Sequence, residues 1–235
     1  MSILSNAVSG KITKPKKIMI YGEHATGKST CASKFPNAIF LATEDGTNEI
    51  DCTRVNLTSA VDVLKAAAEC AGSNYDTVVL DSADWFEKLI DEALREENFK
   101  TDYGKGIVEV ARRFCKVLSA FDKCIEAGKT VILLAHQEVR KAEDIAGNQW
   151  DVIRPKLSKK ACERVMEWAD IIVHAKHEVF VRQEEGDFGR TKGVATTTGR
   201  RILNSQPHPS YVAKSRIDLP ATIDQKDFPK LILGE

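Results

Sequence analysis

The sequence predicts an α/β fold: a mostly parallel sheet covered by helices on both faces, continued by an antiparallel β-hairpin towards the C-terminus. Three observations carry this expectation. Short apolar runs, IMIY (18–21), AIFLAT (38–43), TVVLDS (77–82) and TVILLAH (130–136), recur along the chain. Strands buried on both faces read as such runs. The segments between them are long enough for the crossovers that parallel strands need. After Asp170 the texture changes to two β-rich stretches, IIVHAKHEVFVRQ (171–183) and VATTTGRRILNS (194–205).

The elements follow in order. A glycine-rich turn after the first run leads into a helix from Lys28 to about Lys34, and VDVLKAAAECA (61–71) is a second helix. WFEKLIDEALREE (85–97) has apolar residues at 85, 86, 89, 90 and 94, the spacing of one helical face. FKTDYGKGI (99–107) reads as a loop. VEVARRFCKVLSAFDKCIEAG (108–128) reads as a long amphipathic helix ended by Gly128. Residues 137–160 read as a mixed-charge loop. EEGDFGRTKG, with Gly186, Gly189 and Gly193, forms the hairpin tip and is assigned no chemistry. With no internal repeat, one domain over 1–235 is the simplest organisation. Residues 1–16, including most of the basic KITKPKK, form a flexible lead-in, and 206–235 a proline-punctuated tail.

Composition narrows the function classes. Lys plus Arg and Asp plus Glu each number 34, so no global basic field draws the chain onto nucleic acid, and any such binding rests on local patches. Cysteines at 31, 52, 70, 115, 124 and 162 form no CxxC pair and have no zinc-ligand spacing, which suits reduced thiols acting as small core residues. The N-terminus lacks a signal-peptide apolar stretch, and no run approaches the ~20 apolar residues of a membrane span. A cytoplasmic protein without a membrane partner is expected.

The most specific motif is GEHATGKST (22–30), a full match to G-x-x-x-x-G-K-[ST] from Gly22 to Ser29. It stands between a strand and a helix. Glycines let backbone N–H groups wrap a phosphate without interference from Cβ. Gly22, Glu23, His24, Ala25, Thr26, Gly27, Lys28, Ser29 and Thr30 are therefore the expected nucleotide cradle. The Lys28 ammonium would reach the outer phosphates and the Ser29 hydroxyl would ligate Mg²⁺. ATP and Mg²⁺ are the expected ligands.

A carboxylate should complete the metal site. Asp81 ends the apolar strand TVVLDS, which we expect to lie next to the phosphate strand, where it would hold the water shell of Mg²⁺. The competing reading makes Asp81 a helix cap. Hydrolysis also needs a group that orients or deprotonates water. Glu44 in TEDG is the candidate, with Asp45 beside it as a competitor. His136 and Gln137 end the strand TVILLAH, where either could sense the γ-phosphate by hydrogen bonding.

GEHATGKST, TEDG, TVVLDS, LLAHQ and AKSR (213–216), in that order, resemble the RecA-like P-loop ATPases. They are most similar to the short phage recombination ATPases of the Sak-four single-strand annealing group. The resemblance runs from about Ile18 to Pro220. It implies that Glu44 is the catalytic glutamate and that His136, or Gln137 after it, couples the γ-phosphate to a DNA-binding loop. It further implies that Lys214 and Arg216 are a basic pair reaching into a neighbour's ATP site. Such a finger stabilises charge developing on the transferred phosphoryl group. ATP would then sit between subunits of a ring or filament.

Residues 137–160 carry Arg140, Lys141, Arg154, Lys156, Lys159 and Lys160, with Trp150 among them. Cations neutralise phosphates and an indole stacks on an exposed base, a combination that suits single-stranded DNA. Glu138, Glu143, Asp144 and Asp151 dilute the patch, leaving a solvated loop or an oligomer contact as the alternative. In the resembled group this segment is the second DNA-binding loop, and the stretch with Lys100, Tyr103 and Lys105 the first. The expected function is ATP-driven single-stranded DNA binding for phage-type recombination or annealing, in concert with a single-strand-binding protein. The alternatives are a small-molecule P-loop kinase and a regulatory ATPase of the same fold acting on protein.

Overall fold

A computed structural model describes residues 7, 9–10, 13–99, 104–185 and 191–234. The first half of the chain forms β1 (Lys17–Gly22), α1 (Lys28–Ala32), β2 (Ala38–Ala42), β3 (Thr53–Asn56), α2 (Ala60–Cys70), β4 (Thr77–Asp81), α3 (Ala83–Glu96) and α4 (Lys105–Glu126). The second half forms β5 (Thr130–Glu143), β6 (Gln149–Pro155), α5 (Lys159–Trp168), β7 (Ile171–Glu185), β8 (Thr191–Asn204), β9 (Lys214–Ser215), β10 (Thr222–Asp224) and α6 (Phe228–Leu233).

Among the described residues these strands make one ten-stranded sheet in the order β10-β8-β7-β1-β5-β4-β2-β3, with β6 paired to β5 and β9 to β7. The six strands from β7 to β3 run parallel. β8 continues the sheet antiparallel to β7, as the change of texture after Asp170 predicts, and β10 pairs antiparallel with β8. Side chains alternate across β1. Met19 and Tyr21 join a core with Phe86, Phe114 and Phe121 of α3 and α4, whereas Ile18 and Ile20 join a second core with Phe35 and Phe228. Both faces are buried, which explains why the central strands read as unbroken apolar runs. All six cysteines are free thiols, and Cys31, Cys70, Cys124 and Cys162 are buried. Among the described residues no helix is long and apolar enough to cross a membrane.

Several expectations are corrected. β4 does not neighbour the phosphate strand, because β5 pairs with both and lies between them. Residues 137–160 are not a loop. β5 continues past His136 and turns back through β6 in a regular antiparallel ladder from Gln137↔Pro155 to Glu143↔Gln149, and α5 follows. The turn is built by Asp144, whose Oδ1 accepts from the Ala146 and Asn148 amides at 2.9 Å. Lys105 starts α4 rather than lying in a loop, while Lys100 and Tyr103 lie outside the described residues, as do Gly186 and Gly189 of the hairpin tip. The tail contributes β9, β10 and α6, with Phe228 in the core.

Candidate active site

Parallel strands in register bring their carboxyl ends to one edge. Gly22 of β1 stands level with His136 of β5, and Asp81 of β4 pairs with Leu134 of β5 and Ala42 of β2. Loops leaving that edge form the crevice of an open α/β sheet. A cavity of about 280 Å³ opens there, lined by His24, Ala25 and Gly27 of the turn after β1, by Lys28, Ser29 and Thr30 of α1, by Glu44, Gly46 and Ile50 beyond β2, and by Asp81, His136 and Arg201.

The turn needs its glycines for separate reasons. A Cβ on Gly22 would lie 2.1 Å from the Ala175 carbonyl oxygen of β7. Gly27 has φ +84°, in the left-handed region that side chains disfavour, and a Cβ there would meet Arg201 and Gln225 within 3 Å. Inside the turn, Lys28 is 8% exposed and its Nζ donates to the carbonyls of Glu23 at 2.7 Å and Gly22 at 3.2 Å. Burial pulls the ammonium below its ordinary pKa, against the opposing pull of Asp81, Asp84 and Glu44.

Ser29 Oγ donates to Asp81 Oδ2 at 2.7 Å. Asp81 is 3% exposed; burial pushes its carboxyl up, opposed by the Ser29 bond and the Lys28 charge. This carboxylate does not cap α3, whose N-cap is Ser82. A hydroxyl and a buried carboxylate side by side at one edge of this cavity are the hard oxygen donors that Mg²⁺ prefers, so the residues fit that ion. Glu44 is half-buried and lines the same cavity; burial raises its carboxyl, with His136 pulling the other way. Asp45 is exposed and lines the neighbouring cavity against Trp85 instead.

A sequence model of the AAA domain matches residues 14–217. The chain belongs to the AAA-domain family of P-loop ATPases. It is also similar to the SPbeta prophage-derived uncharacterized protein YorG of Bacillus subtilis (strain 168), at 27% identity over 185 residues, 74% of this chain and 53% of that protein. The chain thus spans about half the length of that relative.

As an AAA-domain ATPase the chain arranges the end of β5 in two directions. His136 faces the phosphate cavity, its ring 4.0 Å from that of His24. Asp84 fixes it twice, accepting from the His136 amide at 3.0 Å and bonding Nδ1 at 2.9 Å. Burial alone would raise the Asp84 carboxyl, but these two bonds outweigh it and hold it below its ordinary value. Gln137 points elsewhere: its Nε2 donates to Glu23 Oε1 at 3.0 Å and its Oε1 meets His174 Nε2 at 2.9 Å. A carboxylate can only accept, so Gln137 must turn its amide nitrogen to Glu23, and His174 then carries its proton on Nε2. His174 Nδ1 is buried without a partner, and burial drives the imidazole down to about 4.

The sequence reading missed Asp84, His174, Arg201 and Gln225. Asp84 stands in the first turn of α3, where an acid has an ordinary helix-end reading. The other three lie on β7, on β8 and just beyond β10, and only strand order brings them near the P-loop.

The remaining predicted residues lie apart from the cavity. Lys214 and Arg216 stand by β9, which pairs with Ile171 and Ile172 at the amino end of β7, away from the P-loop edge. Lys214 Nζ donates to the Met166 and Ala169 carbonyls at the end of α5, and exposed Arg216 pairs with Asp170 at 2.8 Å. The basic patch is thinner than its composition. Arg140 pairs with Glu138 and Lys141 with Asp151, while Arg154 is half-buried with its Nε unpartnered. Lys156, Lys159 and Lys160 are exposed and make no ion pair among the described residues. The Trp150 indole donates to the Pro209 carbonyl at 3.0 Å while its ring remains 37% exposed.

Proposed function

We propose that this P-loop ATPase binds single-stranded DNA under the control of ATP, in phage-type recombination or strand annealing. The observation that carries the reading is the continuity of β5. One strand holds His136 in the cavity and runs on without a break into a hairpin with Lys156 at its base and Trp150 beside its turn. The Lys156 amide donates to the His136 carbonyl at 2.8 Å, so a shift of the cavity residue is felt at Lys156. A prophage-derived relative supports the biological setting.

In this reading Lys28 exchanges its bonds to the Gly22 and Glu23 carbonyls for outer phosphate oxygens. Ser29 and Asp81 hold Mg²⁺, which when bound neutralises charge on the β- and γ-phosphates. Glu44 accepts the proton of the attacking water, a role suited to a carboxyl raised towards neutral pH by burial. His136, held by Asp84 through Nδ1, contacts the γ-phosphate and moves when it leaves. Lys214 and Arg216 serve a neighbouring subunit from the opposite edge of the sheet, which requires them to leave their bonds to the end of α5 and to Asp170. A ring or filament with ATP between subunits follows.

The test is ATP turnover by the purified chain with and without single-stranded DNA, together with DNA binding in the presence of ATP, ADP or no nucleotide. We expect DNA to stimulate turnover, ATP to tighten DNA binding, and Lys28→Ala to lose both. Turnover and assembly indifferent to DNA would overturn the reading. They would favour action on protein, for which the exposed Val139 and Ile145 of the hairpin offer apolar contact.

A further inference from the structure

Arg201 reaches the phosphate cavity from a strand that carries no part of the nucleotide motif. It lies on β8, opposite His177 of β7, two strands from β1. β8 flanks β1 on the side away from β5, β4 and β2, whose ends carry His136, Asp81 and, just beyond, Glu44. Its side chain nevertheless rests on the P-loop. A Cβ built on Gly27 would stand 2.8 Å from Arg201 Cδ and 2.9 Å from its Nη1.

The approach is braced. The Arg201 carbonyl accepts from the Gln225 amide at 3.0 Å, and the buried Gln225 side chain donates from Nε2 to the Thr26 carbonyl at 2.8 Å. β8, β10 and the P-loop are thereby tied together around the guanidinium. Gln225 lies beyond the residues matched by the AAA domain. The adjacent Arg200 is paired with Glu178 and Asp224, each at 3.5 Å. Arg201 makes no ion pair among the described residues, although Lys28 lines the same cavity. Two cations sharing a cavity repel each other until an anion joins them, and a guanidinium fork matches phosphate oxygens.

We propose that Arg201 is a nucleotide-binding residue supplied in cis, whose guanidinium pairs with the inner phosphates of the bound nucleotide. The inference rests on the reading of this cavity as the nucleotide site. With the outer phosphate facing Glu44 and His136, the inner phosphates common to ATP and ADP fall on the Arg201 side. Arg201 therefore contributes to ground-state binding of both nucleotides rather than to the chemical step.

The test titrates the full chain with fluorescently labelled ATP and ADP, comparing wild type, Arg201→Gln and Arg201→Lys. We expect Arg201→Gln to weaken both nucleotides equally, about tenfold, and the melting temperature without nucleotide to be preserved. Arg201→Lys keeps the charge but not the fork and should recover part of the loss. Unchanged affinities, weakening of ATP alone, a fall in kcat alone, or collapse of the fold in Arg201→Gln would each overturn the assignment. A wild-type chain that binds neither nucleotide would instead overturn the reading of the cavity itself.

Discussion

Ser29 Oγ and Asp81 Oδ2 stand 2.7 Å apart, joining the P-loop to the end of β4 although β5 separates their strands. The bond stabilises the Asp81 charge, but burial of that charge opposes it. Asp81→Asn keeps an acceptor for Ser29 and removes a buried charge. We expect the variant to melt higher than wild type without Mg²⁺, and its ATP turnover to fall about 100-fold or more. Thermal unfolding in chelator and phosphate release in excess Mg²⁺ are the two measurements. A variant that melts lower would contradict the electrostatic account of the apo site.

The parallel core was legible because apolar runs such as IMIY and TVILLAH have few other uses than strands buried on both faces. The P-loop was legible because Gly22, Gly27 and Lys28 satisfy one steric and electrostatic demand at fixed spacing. What escaped was set by pairing rather than by local pattern. TRVN of β3 is three exposed residues and the half-buried Arg54 at a sheet edge, with no period to betray it. The β5–β6 hairpin was hidden because its alternation is polar on both faces, and which cations the diluting acids Glu138 and Asp151 meet is set by their near or cross-strand placement. Arg201 had no sequence signal at all. Its role depends on β8 lying one strand beyond β7 and on Gln225 returning through β10.

Gly22 allows the sharpest steric prediction. The obstacle to a side chain is the Ala175 backbone carbonyl, 2.1 Å from the added Cβ, and backbone held in a parallel ladder cannot step aside. Gly22→Ala should therefore cost about 3 kcal/mol or more by chemical denaturation. Adding Ala175→Gly should give no rescue, because it removes a side chain and leaves the carbonyl in place. Restored stability in the double variant would show that the Ala175 methyl, not the backbone, was the barrier.

His174 predicts part of the acid sensitivity. Its folded-state pKa of about 4 lies below the ordinary 6.5, so between those values the unfolded chain binds the extra proton. Stability therefore falls as pH is lowered from about 6.5 to about 4, by at most roughly 3 kcal/mol from this group, and no further below. His174→Gln retains a donor for Gln137 Oε1 without titrating. Its denaturation midpoint should drop less steeply than that of wild type across this window, and the two curves should run parallel above pH 7. Parallel curves throughout would remove His174 from the account.

The exposed lysines and Trp150 predict two separable effects on single-stranded DNA binding. Lys156, Lys159 and Lys160 have no acidic partner among the described residues, so each can neutralise one phosphate and release one counterion. Replacing all three by alanine should flatten the slope of log affinity against log salt by about 2. Trp150→Ala removes a stacking surface instead. It should weaken binding about tenfold at every salt concentration and leave the slope unchanged. Lys141 is the internal control, because its charge is already met by Asp151 at 2.8 Å, and Lys141→Ala should change neither quantity appreciably. Equal slope changes from Lys141 and from the unpaired lysines would mean that the hairpin ion pairs open on contact with DNA, and the whole ladder face would then count as binding surface.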